Sequence, residues 1–264
     1  MKTIVIIQAR MAGARLPGKV LMPLGEWSIL EWCIMRCQRA VFVEDVVVAV
    51  PRKDETSGIT DLCRKLGVGY HVGSETNVLH RFVACAIENH ADWIVRVCAD
   101  CPFVLPGLIS RLVEKAQRLE LDYNGTGWQR RYPRGIDSEV LKLKALYHAL
   151  ADAKESRHFE HVSAFLYENP MLFTLDSPTP PPYFARPDLD LSVDEQDSLD
   201  MLRAVVEHIA PTSPTTLDVR QAINFIDSRP DLLAIAQKAS AKVKAKYKAE
   251  GLGVEYPADK PKGE

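Results

Sequence analysis

Three basic side chains follow the first apolar segment of the chain at short intervals. Arg10, Arg15 and Lys19 lie within the stretch QARMAGARLPGKVL, where Gly13 and Gly18 make the backbone pliable. Successive backbone N–H groups, guanidinium groups and an ammonium group together form an anion nest, and a triphosphate is a common ligand for so much positive charge. The loop therefore indicates a nucleoside triphosphate site. A solvated loop with incidental charges would have the same composition.

The loop differs from the two best-known phosphate-binding patterns. A P-loop requires Gly-Lys followed by Ser or Thr, but here Gly18-Lys19 is followed by Val20. The spacing G-x-G-x-x-G of dinucleotide-binding folds is not present in the loop either. Any phosphate site in this loop therefore depends on its basic side chains.

The elements that position the loop alternate along the first half of the chain. Continuous apolar runs predict strands, helical periodicity predicts helices, and repeated alternation of the two predicts a parallel sheet covered by helices. The strands are predicted at 3–7, 45–50, 68–73 and 93–100, and the helices at 29–40, 58–67, 77–90 and 106–119. We expect helix caps at Asn77 and Gly67, and Pro106 in the first turn of its helix.

The second half of the chain is less regular. A polar, aromatic loop spans 126–135, and the remaining strands are predicted at 136–143, 171–175 and 189–194, with helices at 144–153, 160–168 and 197–209. We therefore expect an α/β fold with a mostly parallel, Rossmann-like sheet and a small arm from the second half. The expected division is a main domain at 1–235, with its arm at about 125–190, and a C-terminal helix and tail at 236–264.

Composition excludes several classes of protein. Lys and Arg number 33 against 35 Asp and Glu, so the net charge of −2 does not indicate a nucleic-acid-binding protein. No apolar run reaches the roughly 18 to 20 residues that span a bilayer, and residues 1–8 do not form a signal peptide. We expect a cytoplasmic location, no membrane contact and free thiols for all six cysteines. The pair Cys98 and Cys101 lacks the second pair that a zinc ribbon needs.

The loop and five later segments resemble the cytidylyltransferase family that activates acidic sugars, which includes acylneuraminate and 3-deoxy-manno-octulosonate cytidylyltransferases. The branch represented by spore coat polysaccharide biosynthesis protein F is the most similar. The matching segments, in chain order, are IIQARMAGARLPGKVL, GSETNVLHRF, VRVCADCPFVLP, YPRGIDSEV, FEHVSAFLYENP and LDLSVDEQDSLDML. The resemblance implies the fold of nucleotide-diphospho-sugar transferases. It also implies CTP and an acidic sugar as substrates, Mg²⁺ as cofactor, and a homodimer.

The resemblance also implies roles for individual residues. It assigns the triphosphate, and with it catalysis, to Arg10, Arg15 and Lys19. The nucleotide-binding residues are Gln8, Ala9, Arg10, Gly13, Arg15, Lys19, Gly73, Ser74 and Asn77. The acceptor-binding residues are Gly135, Asp137, Glu139 and His161, and the metal ligands are Asp100 and Asp194.

The position of Asp100 supports this assignment independently. It follows a predicted parallel strand, at the end where open α/β sheets bind their ligands. A carboxylate facing a triphosphate would repel it without a metal, and Mg²⁺ binds one or two carboxylates together with phosphate oxygens. Two alternatives stay open: Asp100 could instead cap the turn before Pro102, and Asp194 could instead cap the helix that begins near Glu195.

Two departures from the family pattern bear on function. Ala14 replaces the usual Ser or Thr before the second arginine, and Phe159 replaces an arginine before Glu160-His161-Val162. Because of these two departures, one alternative is that the protein binds a nucleotide without catalysing a reaction. A second alternative is a glycosyltransferase of the same fold that uses a finished nucleotide sugar, for which Asp188-Leu-Asp190 is a candidate metal motif.

Overall fold

A seven-stranded sheet forms the centre of the fold in the computed structural model, which describes residues 1–13, 15–55 and 57–255. Its strands are β1 Thr3–Gln8, β4 Asp45–Pro51, β5 Gly69–Gly73, β6 Trp93–Cys98, β7 Tyr123–Gly125, β8 Glu139–Lys142 and β9 Leu175–Asp176. Their order is β5-β4-β1-β6-β8-β7-β9, and β5, β4, β1 and β6 are parallel. The predicted mostly parallel α/β fold is confirmed. A small hairpin, β2 Pro23–Leu24 with β3 Trp27–Ser28, follows the cationic loop.

Helices cover both faces of this sheet. They are α1 Ile29–Cys37, α2 Gly58–Leu66, α3 Val78–Glu88, α4 Pro106–Leu119, α5 Leu143–Asp152, α6 Ser156–Glu160, α7 Ala164–Glu168, α8 Gln196–Ile209, α9 Val219–Ser228 and α10 Pro230–Ala249. The predicted caps are confirmed: Asn77 accepts from the His80 N–H at 2.7 Å, and Gly67 ends α2 in the left-handed conformation. Pro106 begins α4 as predicted.

Strand β1 shows why the sheet is buried on both sides. Val5 and Ile7 pack into one apolar cluster, whereas Ile4 and Ile6 pack into another on the opposite face, and all four are fully buried. Side chains alternate across a strand, so a continuous run of β-branched residues fills two cores at once. The carboxyl ends of the four parallel strands consequently lie at one edge of the sheet.

Three of the elements predicted for the second half differ in the structure, and β7 and α9 were not predicted. The strand predicted at 189–194 is wrong, because its backbone bonds to scattered partners: Asp190 N–H to the Ala236 carbonyl, Leu191 N–H to Arg134 and Val193 N–H to Asp100. The helix predicted at 160–168 is two short helices, α6 and α7. Of the strand predicted at 171–175, only Leu175 pairs with the sheet, as the first residue of β9.

The end of the chain folds back across the molecule. Helix α10 begins at Pro230, earlier than the predicted boundary at 236, and packs against α8 and α9. After it, the Glu255 N–H donates to the Trp128 carbonyl at 2.9 Å, and the Arg130 N–H donates to the Glu255 carbonyl at 2.7 Å. We call residues 230–255 the C-terminal segment. It ties the loop after β7 to the rest of the fold.

Two further predictions concern thiols and membranes. All six cysteines are free, as predicted, and only Cys98 among them is partly exposed. Among residues 1–13, 15–55 and 57–255, no helix has the length and apolarity needed to cross a bilayer.

Gly135 is expected to be intolerant of any side chain. Its φ is +90°, and a Cβ there would lie 2.3 Å from the Leu191 carbonyl carbon. Gly135→Ala should therefore lower the free energy of unfolding by roughly 3 kcal/mol or more, measured by urea denaturation. Gly67→Ala is the matched control, since Gly67 has φ +65° but a Cβ at that position would have no neighbouring atom within 4 Å, and should cost only about 1 kcal/mol. Equal losses for both variants would contradict the steric argument.

Candidate active site

A cleft of about 430 Å³ opens at the carboxyl ends of β1 and β6. The cationic loop forms one wall and α10 forms another. Its lining residues are Gln8, Arg10, Ala12, Gly13, Arg15, Leu16, Lys19, Val20, Arg96, Cys98, Ala99, Asp100, Arg134, Glu160, His161, Asp194, Val243, Lys246 and Tyr247. This is the edge of a parallel sheet at which α/β folds bind ligands.

The cationic loop is held in a fixed hairpin shape. The Gly18 N–H donates to the Met11 carbonyl at 2.8 Å, and Gly18 itself has φ +69°. The Met11 N–H donates to Asp54 Oδ2 at 2.8 Å, which anchors the loop to the segment after β4. Lys19 then begins a short 3-10 helix. The backbone thereby directs the loop toward β6.

The ammonium of Lys19 lies between two carboxylates. Its Nζ is 2.7 Å from Asp100 Oδ2 and 2.7 Å from Asp194 Oδ1. The lysine side chain is only 15% exposed. Burial alone would lower the pKa of Lys19, but Asp100 and Asp194 outweigh it and raise the pKa above its ordinary value. Lys19 is therefore a cation at neutral pH.

Asp194 also binds two guanidinium groups. Its Oδ2 lies 3.1 Å from Arg15 Nη2 and 2.9 Å from Arg134 Nη1. Burial would raise the pKa of Asp194, but Arg134 and Lys19 overcome that effect and hold the pKa well below its usual range. One carboxylate thus organises three cations from distant parts of the chain.

Local backbone bonds explain how the two aspartates meet. The Val193 N–H donates to the Asp100 carbonyl at 2.8 Å, which brings residue 194 beside the end of β6. The alternative in which Asp194 caps a helix is wrong, because Glu195 is the N-cap of α8 and the Asp194 side chain faces the cations. The Asp100 side chain accepts from the Lys19 ammonium at 2.7 Å and contacts the Cys101 thiol at 3.5 Å, so its partners are side chains.

The residues predicted to bind nucleotide occupy two places. Gln8, Arg10, Gly13, Arg15 and Lys19 line the cleft. Ala9 does not, since it is buried and its N–H donates to the Ala49 carbonyl.

Gly73, Ser74 and Asn77 lie beyond the cleft lining, at the carboxyl end of β5 and the start of α3. The Asn77 N–H donates to Ser74 Oγ at 3.1 Å, and the Ser74 carbonyl accepts from Arg81 at 2.5 Å. They share the sheet edge with the cationic loop.

The residues predicted to bind the acceptor are also divided. His161 lines the cleft, and burial lowers its pKa, with Arg96 acting in the same direction. Glu139 is buried, where it accepts from Arg96 Nη1 at 2.5 Å, the Tyr123 hydroxyl at 2.9 Å and Ser163 Oγ at 2.8 Å.

Asp137 and Gly135 do not line the cleft. Asp137 pairs with Arg130 at 2.6 Å, and Gly135 packs against the backbone of Leu191. Asp137 and Glu139 line a smaller cavity of about 50 Å³, together with Arg96, Arg130, Arg134 and Tyr247. This cavity adjoins the cleft through Arg96, Arg134 and Tyr247, which line both.

Several residues around the cleft were missed by sequence reasoning. Arg96 and Arg134 stand inside two family-like segments, and their position there was the available signal. Lys246 and Tyr247 belong to the lysine-rich end of α10, which has no family-like pattern. Tyr247 lies edge-on to His161, with ring centroids 6.3 Å apart, and Arg130 approaches its ring at 5.8 Å.

Other candidate residue pairs do not form sites in the structure. Asp190 is buried and accepts from Arg134, whereas Asp188 pairs with Arg186 at the surface, so the two carboxylates do not share a metal position. His158 pairs with Glu168, away from His161. Phe159 packs against an apolar cluster, and Ala14 lies outside the described residues.

The donor set at Asp100 and Asp194 fits a divalent cation that also binds phosphate. Their oxygens converge on one point, now taken by a cationic nitrogen. Mg²⁺ uses one or two carboxylates and completes its coordination with phosphate oxygens and water. In the described parts of the chain, no three His, Cys, Asp or Glu side chains cluster as a metal site.

Comparison with known proteins identifies related sequences. A family model described as cytidylyltransferase matches residues 4–219. An uncharacterized protein of Methanocaldococcus jannaschii is 36% identical over 232 residues, which cover 88% of this chain and 93% of the relative. Spore coat polysaccharide biosynthesis protein SpsF of Bacillus subtilis is 28% identical over 231 residues, covering 86% of this chain and 94% of the relative.

Solved structures share the fold. A cytidylyltransferase from Leptospira borgpetersenii has a TM-score of 0.81 at 24% identity, covering 88% of this chain and 97% of that one. CMP:2-keto-3-deoxy-manno-octonic acid synthetase complexed with CTP has a TM-score of 0.60 at 15% identity, covering 79% and 100%. Rv0371c of Mycobacterium tuberculosis in complex with manganese has a TM-score of 0.52 at 13% identity, covering 77% and 99%.

Removing the shared carboxylate should destabilise the protein. Asp194→Asn leaves Lys19, Arg15 and Arg134 short of one anion, so the free energy of unfolding should fall by roughly 2–3 kcal/mol in urea titrations at pH 7. Because the folded pKa of Asp194 is lowered, its contribution is complete at neutral pH and declines as the pH falls below about 4. The control Asp197→Asn alters an exposed carboxylate nearby and should change stability by less than about 0.5 kcal/mol. A loss no larger than the control's would refute the proposed electrostatic role.

Proposed function

Because the chain belongs to the cytidylyltransferase family, we propose that it is a CTP-dependent enzyme that transfers CMP to a small acidic sugar and releases pyrophosphate. The proposal extends to a place in surface polysaccharide or glycoconjugate biosynthesis, in the cytoplasm and as a homodimer. The names of two related proteins motivate this extension: SpsF of Bacillus subtilis and 3-deoxy-manno-octulosonate cytidylyltransferase of Nitrobacter winogradskyi.

One observation carries the proposal. Arg15 and Lys19 of the cationic loop converge with Asp100 and Asp194 at the carboxyl end of β6, inside a cleft that Arg10 also lines. This arrangement provides cations for a polyphosphate and carboxylates for its counter-ion in one place. Neither group alone would specify a nucleoside triphosphate.

The proposed reaction is a nucleotidyl transfer by direct displacement at the α-phosphorus of CTP. An acceptor hydroxyl oxygen forms a bond to the α-phosphorus, the bond from that phosphorus to the bridging oxygen breaks, and pyrophosphate leaves with the electron pair. The hydroxyl proton is released to water. No covalent protein intermediate is required, so the chain acts by orienting the two substrates and neutralising negative charge.

Each basic residue of the loop has a role in this scheme. Arg10, Arg15 and Lys19 bind the triphosphate and stabilise the charge that accumulates on the departing pyrophosphate. Asp100 and Asp194 would hold Mg²⁺ beside them, and the bound ion would supply additional charge neutralisation on the phosphate oxygens.

The far end of the cleft supports an anionic acceptor. Arg96 and Lys246 line it together with His161 and Tyr247. The guanidinium of Arg96 is bound to buried Glu139, which fixes its orientation. The nearby Tyr247 lies edge-on to His161, and its phenol is a group that can donate a hydrogen bond to a substrate oxygen. We propose that the acceptor's carboxylate binds here.

The proposal is tested by product identity. The protein is incubated with Mg²⁺, CTP and a panel of sugar acids that includes 3-deoxy-manno-octulosonate and N-acetylneuraminate, and pyrophosphate is measured. Acid-dependent release of pyrophosphate with formation of a CMP-sugar is expected. Release of nucleoside diphosphate from a nucleotide sugar would instead establish a glycosyltransferase. A Mg²⁺-dependent rise in melting temperature with CTP but no turnover would indicate a non-catalytic nucleotide-binding protein; at about 100 times Kd the stabilisation is roughly 2.7 kcal/mol.

Lys19→Ala should slow that reaction strongly. By analogy with the loss of one oxyanion donor in a dry site, we expect kcat to fall roughly 10²- to 10³-fold. Lys248→Ala is the control, because Lys248 is exposed on α10 and does not line the cleft. Full pyrophosphate release by Lys19→Ala would remove this lysine from the mechanism.

Substitutions in α10 should affect the acceptor and not the nucleotide. Lys246→Ala and Tyr247→Phe each remove one group at the acceptor end, so KM for the sugar acid should rise about tenfold while Kd for CTP, measured by calorimetry, stays within about twofold. Lys248→Ala should change neither constant. A selective loss of CTP affinity would place these two side chains on the nucleotide side instead.

A further inference from the structure

The ammonium group of Lys19 occupies the position at which the proposed metal would be held. Its Nζ is 2.7 Å from one oxygen of Asp100 and equally far from one oxygen of Asp194. The two carboxylate side chains are 18% and 17% exposed. A divalent ion coordinated by both oxygens would have to displace this nitrogen, since the two cations would occupy the same position between the carboxylates.

The local charge balance also opposes a lone metal ion. Four cations pair with four carboxylates here, so the positive and negative charges already balance: Lys19, Arg15, Arg134 and Lys242 against Asp100, Asp190, Asp194 and Glu195. A divalent cation would add two positive charges with no anion to balance them. Like charges brought together in a partly buried site repel strongly.

A polyphosphate changes both conditions. It brings several negative charges into the cleft that Arg10, Arg15 and Lys19 line, and it offers the lysine new acceptor oxygens. Lys19 has a flexible four-carbon stem, so its ammonium can move from the carboxylates to a phosphate while its backbone stays in the 3-10 helix. The carboxylates are then exposed to a divalent cation.

We infer that Lys19 holds the metal site closed in the absence of nucleotide, so that the divalent cation enters only with a polyphosphate. The inference rests on the proposed function, because it takes Asp100 and Asp194 as the metal ligands. It adds an order of binding that the family relationship does not specify. The protein without nucleotide should therefore have little affinity for divalent cations, because the ammonium of Lys19 occupies the metal position.

The inference is tested with Mn²⁺ alone, without nucleotide. Free Mn²⁺ is quantified by its electron paramagnetic resonance signal during titration of the full chain. We expect weak binding by the wild type and an affinity at least about tenfold higher for Lys19→Met, which keeps an unbranched side chain one atom shorter but removes the charge. Lys19→Gln is a second variant in case Lys19→Met folds poorly, and far-UV circular dichroism checks both. Lys248→Met, a charge removal at an exposed site, should resemble the wild type.

A double variant locates the site that is gained. Lys19→Met combined with Asp100→Asn should return Mn²⁺ affinity to the wild-type level. Tight Mn²⁺ binding by the wild type, no gain in either folded Lys19 variant, or a gain that survives Asp100→Asn would each overturn the inference. Failure of the proposed function gives a different result: a gain of Mn²⁺ binding in Lys19→Met without any turnover of CTP by the wild type.

Discussion

The carboxylate of Asp194 is the point on which the cleft depends. It accepts from Lys19, lies within ion-pair distance of Arg15 and Arg134, and is brought beside Asp100 by a single backbone hydrogen bond from Val193. Without this anion, the three cations would repel one another. With the carboxylate between them, a hairpin near the start of the chain is held against a segment that lies 175 residues later.

These ion pairs are strong because the surrounding fold shields the side chains of Lys19, Asp100 and Asp194 from most of the solvent. The parallel strands bury both faces, so their carboxyl ends open onto a concave edge and not onto a flat surface. Coulombic interactions gain strength as water is excluded, and the pKa values of Lys19 and Asp194 move in opposite directions as a result. The same features that stabilise the cleft without ligand supply the charges that a polyphosphate would meet.

The first half of the fold could be predicted from sequence, and the reason is local. Strands such as β4 and helices such as α4 carry their apolar pattern and their end signals within a few residues. The region 189–194 looked like a strand because LDLSVD alternates, but its backbone partners come from Arg134, Ala236 and Asp100. No local pattern encodes such a set of distant partners.

The candidate site divides in the same way. The cationic loop and Asp100 could be recognised because their chemistry is contiguous with predicted elements. Arg96 and Arg134 were visible only as parts of family-like segments, and Lys246 and Tyr247 carried no signal beyond a lysine-rich helix. Their place in the cleft follows from the way α10 crosses the molecule, which is a property of the tertiary structure.

The position of α10 has an evolutionary consequence. The match to the cytidylyltransferase family ends at residue 219, yet the wall contributed by Val243, Lys246 and Tyr247 lies after that point. Substitutions in α10 can therefore reshape one end of the cleft without any change in the loop that faces the other end. Under the proposed function, substitutions in α10 would alter the choice of acceptor and leave nucleotide binding intact.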